Sequence, residues 1–133
     1  METMALIQSF RDLDVYRLGR EYAKKIFVAS KIFPKEERYS LTDQIRRSSR
    51  AVNAMIAEAW ARRQYPAVFI NKLSEAMGEA SETQAWLDHA YDCDYISESL
   101  HRELNDAWQH VGAMLNRMIE RADSFCKPSG KQG

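Results

Sequence analysis

Apolar side chains recur along this chain at steps of three and four residues in four separate segments, the spacing of helices that bury one face. The first is expected over Asp12 to Ile32, with Val15, Leu18, Tyr22, Ile26 and Ala29 on one side, and Pro34 disfavours helical geometry at Phe33 beyond it. A second is expected from Ser40 to about Arg63, with Leu41, Ile45, Ser49, Val52, Ile56 and Ala59 aligned; Ser40 and Asp43 have the spacing of a reciprocal N-terminal cap. Pro66 suits the first turn of a third, in which Phe69, Leu73, Ala76, Ala80, Thr83, Leu87 and Ala90 share a side up to Cys93 or Asp94. After Ser97 a fourth carries Leu100, Leu104, Trp108, Val111, Leu115, Met118 and Ala122 inward, with Phe125 as a late contact. Proline and glycine are expected almost entirely outside or between these segments.

Four long helices with short connections predict an all-α domain, an antiparallel up-down-up-down four-helix bundle. Residues 1–9 read as an N-terminal extension, 10–126 as the bundle, and 127–133 as a polar, flexible tail.

Composition narrows this further. A chain of 133 residues, 45% of them hydrophobic, suffices for one core without disulfides or metal. Two cysteines, Cys93 and Cys126, with no Cys-x-x-Cys pair, point away from a disulfide scaffold or structural zinc module. No run of about 18 apolar residues offers a membrane span, and Met1 to Phe10 lack a basic segment followed by a long apolar one. The expectation is a cytoplasmic protein with no membrane partner.

The second segment carries information about partners. Ala51, Ala54, Ala57 and Ala61 lie opposite Ile45, Val52 and Ile56, on a side where a solvated helix normally carries Lys and Glu. Either these are simply good helix formers, or the helix is enclosed twice, by its own bundle and by another subunit. Arg47 and Glu58 fall on that side, where an arginine–carboxylate pair would fix subunit register.

Net charge is zero, yet residues 1–72 hold 14 basic against 8 acidic side chains and residues 73–133 hold 5 against 11. Such asymmetry can orient subunits or attract an anionic partner, whereas antiparallel packing neutralises it internally. Arg46, Arg50, Arg62 and Arg63, near Trp60 and Tyr65, are the candidates for nucleic-acid contact, because guanidinium groups bind phosphates bidentately and aromatic rings stack on bases.

Catalytic signals are sparse. Glu98 and His101 form one Glu-x-x-His, but a di-metal bundle needs two such motifs and two further carboxylates. The row Glu75, Glu79, Glu82 reads as solvated or as partner to arginines, and His89 with Cys93, one turn apart, would need further ligands to hold zinc. No nucleophile elbow or phosphate loop appears. Trp86, Trp108, Met77, Met114 and Met118 read as core or interface. No enzyme activity, metal or cofactor is expected.

Phe10-Arg11-Asp12-Leu13-Asp14-Val15-Tyr16, Phe33-Pro34-Lys35-Glu36-Glu37-Arg38-Tyr39-Ser40-Leu41, Gln44-Ile45-Arg46-Arg47-Ser48-Ser49, Ile56-Ala57-Glu58 with Arg62, Gly78-Glu79-Ala80-Ser81-Glu82-Thr83-Gln84 and Asp94-Tyr95-Ile96 occur in this order. Together, over residues 10 to 126, they resemble the bacterial four-helix bundle proteins first noticed as reading frames in intervening sequences of 23S ribosomal RNA genes. The resemblance implies a homo-oligomer, a barrel-like pentamer. It also implies a relation to the accessory variability determinant of diversity-generating retroelements, which binds nucleic acid and a reverse transcriptase through a basic surface. Gln44, Arg47, Glu58 and Glu82 are expected to form the polar network that sets bundle and subunit geometry. The expected function is that of an oligomeric scaffold or binding module; the alternative is an accessory protein binding RNA or DNA through the basic surface of the second helix.

Overall fold

A computed structural model describes residues 7–126; the expected tail and the first six residues of the expected extension lie outside the described residues. Four long helices, α1 (Asp14–Ser30), α2 (Asp43–Ala61), α3 (Pro66–Asp92) and α4 (Glu98–Glu120), are followed by a short α5 (Ala122–Cys126), and there is no strand among the described residues. Each long helix packs on its sequence neighbours and α4 closes back on α1, so the protein is the expected all-α bundle. The core runs its full length: Val52, Ile56, Phe69, Leu73, Leu104, Trp108, Val111 and Leu115 are each fully enclosed. Phe125 of α5 completes one end, stacking on Phe69 at 6.0 Å and meeting Trp60 edge-on at 6.2 Å.

The helix ends depart from the sequence expectations in instructive ways. Ser40 does not cap α2. A wide π-type turn over Arg38–Thr42 runs straight into the helix, so no free backbone N–H is left for Ser40 to satisfy; its hydroxyl donates instead to Glu37 at 2.8 Å. Ser9 does cap, accepting from the Arg11 N–H at 3.0 Å while Asp12 accepts from the Ser9 N–H at 3.1 Å, which opens a short turn over Phe10–Asp12; Leu13, in extended geometry, separates that turn from α1. At the far end of α3 the chain reverses through Asp94 at φ 63°, with the Tyr95 N–H donating to the Ala90 carbonyl at 2.9 Å. The expected fourth helix breaks at Arg121, leaving Ala122 and Phe125 on α5.

Glycine also departs from expectation. Gly19, Gly78 and Gly112 sit inside α1, α3 and α4. At Gly19 a reason is visible: the position is buried and an added Cβ would strike Asn53 Oδ1 of α2. Nothing within 4 Å would meet a Cβ at Gly78 or Gly112.

Candidate functional site

Two surfaces carry concentrated chemistry, and both involve α2. On the side facing α3, Arg47 reaches across to the acidic row: its Nη2 lies 2.6 Å from Glu82 Oε2 and 3.1 Å from Glu79 Oε1. The Trp86 indole donates to the same Glu82 oxygen at 3.0 Å. Burial works against the Glu82 charge, but the hydrogen bonds from Trp86 and Arg47 outweigh it and hold the carboxyl below its ordinary value. Donating to Glu79 and Glu82 raises the Arg47 value in turn. Beneath this ridge Ser48 and Thr83, both fully buried, share a 2.8 Å hydrogen bond, and Thr83 donates on to the Glu79 carbonyl at 2.9 Å.

Of the four residues expected in one polar network, only Arg47 and Glu82 meet. Glu58 lies three turns further along α2, where Lys72 of α3 approaches to 3.0 Å and also reaches Glu75 at 3.5 Å. Gln44 is half-buried and makes no side-chain hydrogen bond among the described residues. Arg47 and Glu58, expected on the alanine-rich side of α2, do not meet within one chain. Eleven residues separate them on one helix, which is roughly 16 Å, and each instead finds a partner on α3. Ala54 and Ala61 are exposed, Ala51 and Ala57 half-buried. Glu79, Lys72, Ser48, Thr83 and Trp86 complete this ridge; Glu79 alone was foreshadowed, as a member of the acidic row.

The second surface lies between α1 and α2. The four candidate arginines divide into two pairs at opposite ends of α2. Arg46 donates to Ser30 Oγ at 2.8 Å and sits 4.6 Å above the Phe27 ring, which Arg50 approaches at 5.7 Å and Lys31 at 5.0 Å. Arg63 instead folds over Trp60 at 3.8 Å and donates to its carbonyl at 2.9 Å, while Arg62 caps the end of the helix. Beside Phe27, a cleft of about 310 Å³ is lined by Arg20, Ala23, Lys24, Arg50 and Asn53. Among the described residues, none of Arg20, Lys24, Lys31, Arg46 and Arg50 lies within ion-pair distance of a carboxylate, whereas Arg47, Lys72, Lys25 and Arg17 all do. Antiparallel packing thus pairs cations with carboxylates where α1 and α2 meet α4 and α3, and leaves the cations of this face without such partners among the described residues.

The remaining candidates are dispersed. His101 Nε2 lies 2.8 Å from Asp88 Oδ1, while Glu98 pairs with Arg102 at 3.3 Å, so the Glu-x-x-His points at two different partners. His89 and Cys93 line a cleft with Glu37, Leu41 and Trp86. Among the described residues no group of three or more His, Cys, Asp or Glu is arranged to hold a metal ion. No helix among them is long and apolar enough to cross a membrane. Glu37, missed in the sequence, links both ends of the molecule's connections: Tyr95 donates to it at 2.8 Å, and that bond pushes the Tyr95 phenol up to about 12.

A family model described as 23S rRNA-intervening sequence protein matches residues 11–117. Among solved structures, a crystal structure of a protein of unknown function from the S23 ribosomal protein family of Bacteroides thetaiotaomicron is similar. It is 29% identical with a TM-score of 0.72, covering 80% of this chain and 95% of its own. Comparison with curated proteins gave no match.

Proposed function

Since the chain belongs to the family of 23S rRNA-intervening sequence proteins, we propose that it acts as a self-associating bundle, a non-catalytic scaffold or binding module in the cytoplasm. One observation carries this reading: large apolar side chains lie in solvent in groups rather than singly. Val28 in the last turn of α1 and Ile32 in the turn just beyond it are both exposed, Ile32 at 76%, and Tyr65, Val68 and Ile70 lie exposed around the start of α3. Grouped apolar exposure marks contact surfaces. Light scattering across concentration, at low and high salt, tests it: a mass that is a multiple of 15.4 kDa and independent of salt is expected, and a monomer at high concentration refutes it.

The uncompensated α1–α2 face supports a second reading, contact with a nucleic-acid backbone by Arg20, Lys24, Arg46 and Arg50. Each phosphate neutralised adds to the salt dependence of binding. A fluorescent RNA should be retained at low salt, released as salt rises, and lost on Lys24→Glu/Arg50→Glu; retention that neither salt nor these changes affect refutes it. Arg62 and Arg63 lie outside this surface.

A further inference from the structure

Where α1 and α2 lie side by side, each contributes one stripe to the walls of a single cleft. Arg20, Ala23, Lys24 and Phe27 follow one another at steps of three, one and three on α1, and Arg50 and Asn53 stand three apart on α2. The cleft measures about 310 Å³, at the lower end of the range of small-ligand sites. Gly19 meets Asn53, and Phe27 lies under Arg46, so the helices run antiparallel with Arg20 and Asn53 at one end of the cleft and Phe27 at the other. Seven residues of α1 separate those ends, roughly 10 Å.

The polar groups that face this cleft are all donors. Arg20, Lys24 and Arg50 are exposed, and among the described residues none of them lies within ion-pair distance of a carboxylate. Asn53 adds a fourth donor. Its Oδ1 is enclosed against Gly19 and has no hydrogen-bond partner. The amide is flat, so its Nδ2 is turned the other way, towards the cleft that Asn53 lines, and it donates to nothing among the described residues. Ala23 and Phe27 supply an apolar floor. Charge of one sign over an apolar floor concentrates anions, and a wall of donors suits a ligand rich in acceptor oxygens.

Two departures from ordinary helix packing coincide here. Glycine weakens the middle of a helix, and a buried amide oxygen without a partner is rare. Gly19 and Asn53 carry one each and are in contact: the missing Cβ makes the room that the Asn53 amide occupies. Local rules broken together, at the end of a cationic cleft, mark a binding site.

We propose that this cleft holds a phosphate monoester joined to a flat ring, the chemistry of a mononucleotide, with the phosphate among Arg20, Lys24, Arg50 and the Asn53 Nδ2 and the ring against Ala23 and Phe27. The guanidinium groups grip the phosphate oxygens, Lys24 adds a point charge, and the asparagine amide fixes the position of the group. Lys31 and Arg46, which lie over the Phe27 ring, continue the cationic wall past it. The inference rests on the reading of this face as anion-binding and gives it a ligand of defined size. All the contributing residues belong to one chain, so one site per chain is expected whatever the number of copies in the assembly.

Isothermal titration calorimetry of the full chain with adenosine 5′-monophosphate, adenosine and inorganic phosphate tests this. One monophosphate should bind per chain, at least tenfold more tightly than either adenosine or inorganic phosphate. Asn53→Ala, and Gly19→Ala by displacing the Asn53 amide, should each weaken it about tenfold. Phe27→Leu should erase most of the advantage over inorganic phosphate, with circular dichroism unchanged in all three. A 5′-phosphorylated trinucleotide and its 5′-hydroxyl form separate the two sources of this chemistry: competition by the phosphorylated form alone assigns the end of a strand, and competition by neither assigns a free mononucleotide. Equal competition by both forms, no binding of the monophosphate at millimolar concentration, affinity no better than that of inorganic phosphate, or binding indifferent to Asn53→Ala overturns the proposal. Salt-sensitive retention of RNA beside such a result leaves the backbone reading standing; its absence overturns both.

Discussion

Three glycines inside helices offer a controlled experiment, because the same substitution should stabilise at two of them and not at the third. Glycine in a helix interior is about 1 kcal/mol less favourable than alanine. At Gly78 and Gly112 an added Cβ meets nothing within 4 Å, so Gly78→Ala and Gly112→Ala should each stabilise the dilute protein by nearly that whole amount. For a domain of this size the midpoint of thermal unfolding should rise by about 3–5 °C per substitution, and the two gains should add. At Gly19 the same Cβ collides with Asn53 Oδ1, a buried oxygen without a hydrogen-bond partner. Overpacking costs about 1–3 kcal/mol, which cancels or exceeds the helical gain, so Gly19→Ala should be neutral to destabilising by up to about 2 kcal/mol. Trimming the obstruction in Gly19→Ala/Asn53→Ala should recover the difference, a coupling measurable by a double-mutant cycle in urea. Destabilisation by Gly78→Ala, or strict additivity of the Gly19 and Asn53 changes, would refute the reasoning.

Thr83→Val keeps shape but removes the acceptor for the buried Ser48 hydroxyl; a loss of about 1–3 kcal/mol in urea unfolding is expected, with Ser48→Ala/Thr83→Val costing less than the sum of the singles. Glu82 and Glu37 both have carboxyls held below their ordinary value, Glu37 by hydrogen bonds from Ser40 and Tyr95. The folded state therefore binds these protons less readily than the unfolded one, so their contribution is complete at neutral pH and is lost as pH falls below about 4. Urea midpoints at pH 7 and pH 3 measure it, and Glu82→Gln should narrow the gap. One tyrosine should ionise near pH 12 in ultraviolet titration and revert towards its normal value in Glu37→Gln. Under thiol labelling, exposed Cys93 should react promptly, whereas Cys126, buried and with its thiol value raised by that burial, should react only as the chain opens.

The long-range architecture was legible because it rests on a pattern repeated many times. Seven inward positions of α3, from Phe69 to Ala90, are the seven that the three-and-four spacing selects, and all are buried. Single-residue features rest on one local competition each and were read less well. Ser40 and Asp43 carry the spacing of a cap, but the turn before them had already supplied the helical hydrogen bonds, while Ser9 and Asp12 carry the same spacing and do cap. Periodicity along one helix also says nothing about which turn of its neighbour stands opposite. Arg47 was placed on the correct helix, but its partners Glu79 and Glu82 follow only from the antiparallel register of α2 and α3, which likewise sends Glu58 to Lys72.

The basic face is a product of placement. Arg20, Lys24 and Lys31 come from one helix and Arg46 and Arg50 from another, and each helix taken alone reads as ordinarily charged. Charge becomes a candidate binding property only where packing brings cations from two helices together around Phe27 and, among the described residues, leaves no carboxylate within ion-pair distance of them. Zero net charge is therefore compatible with a surface that attracts anions, and the arginines that matter are those that the acidic half of the chain does not reach.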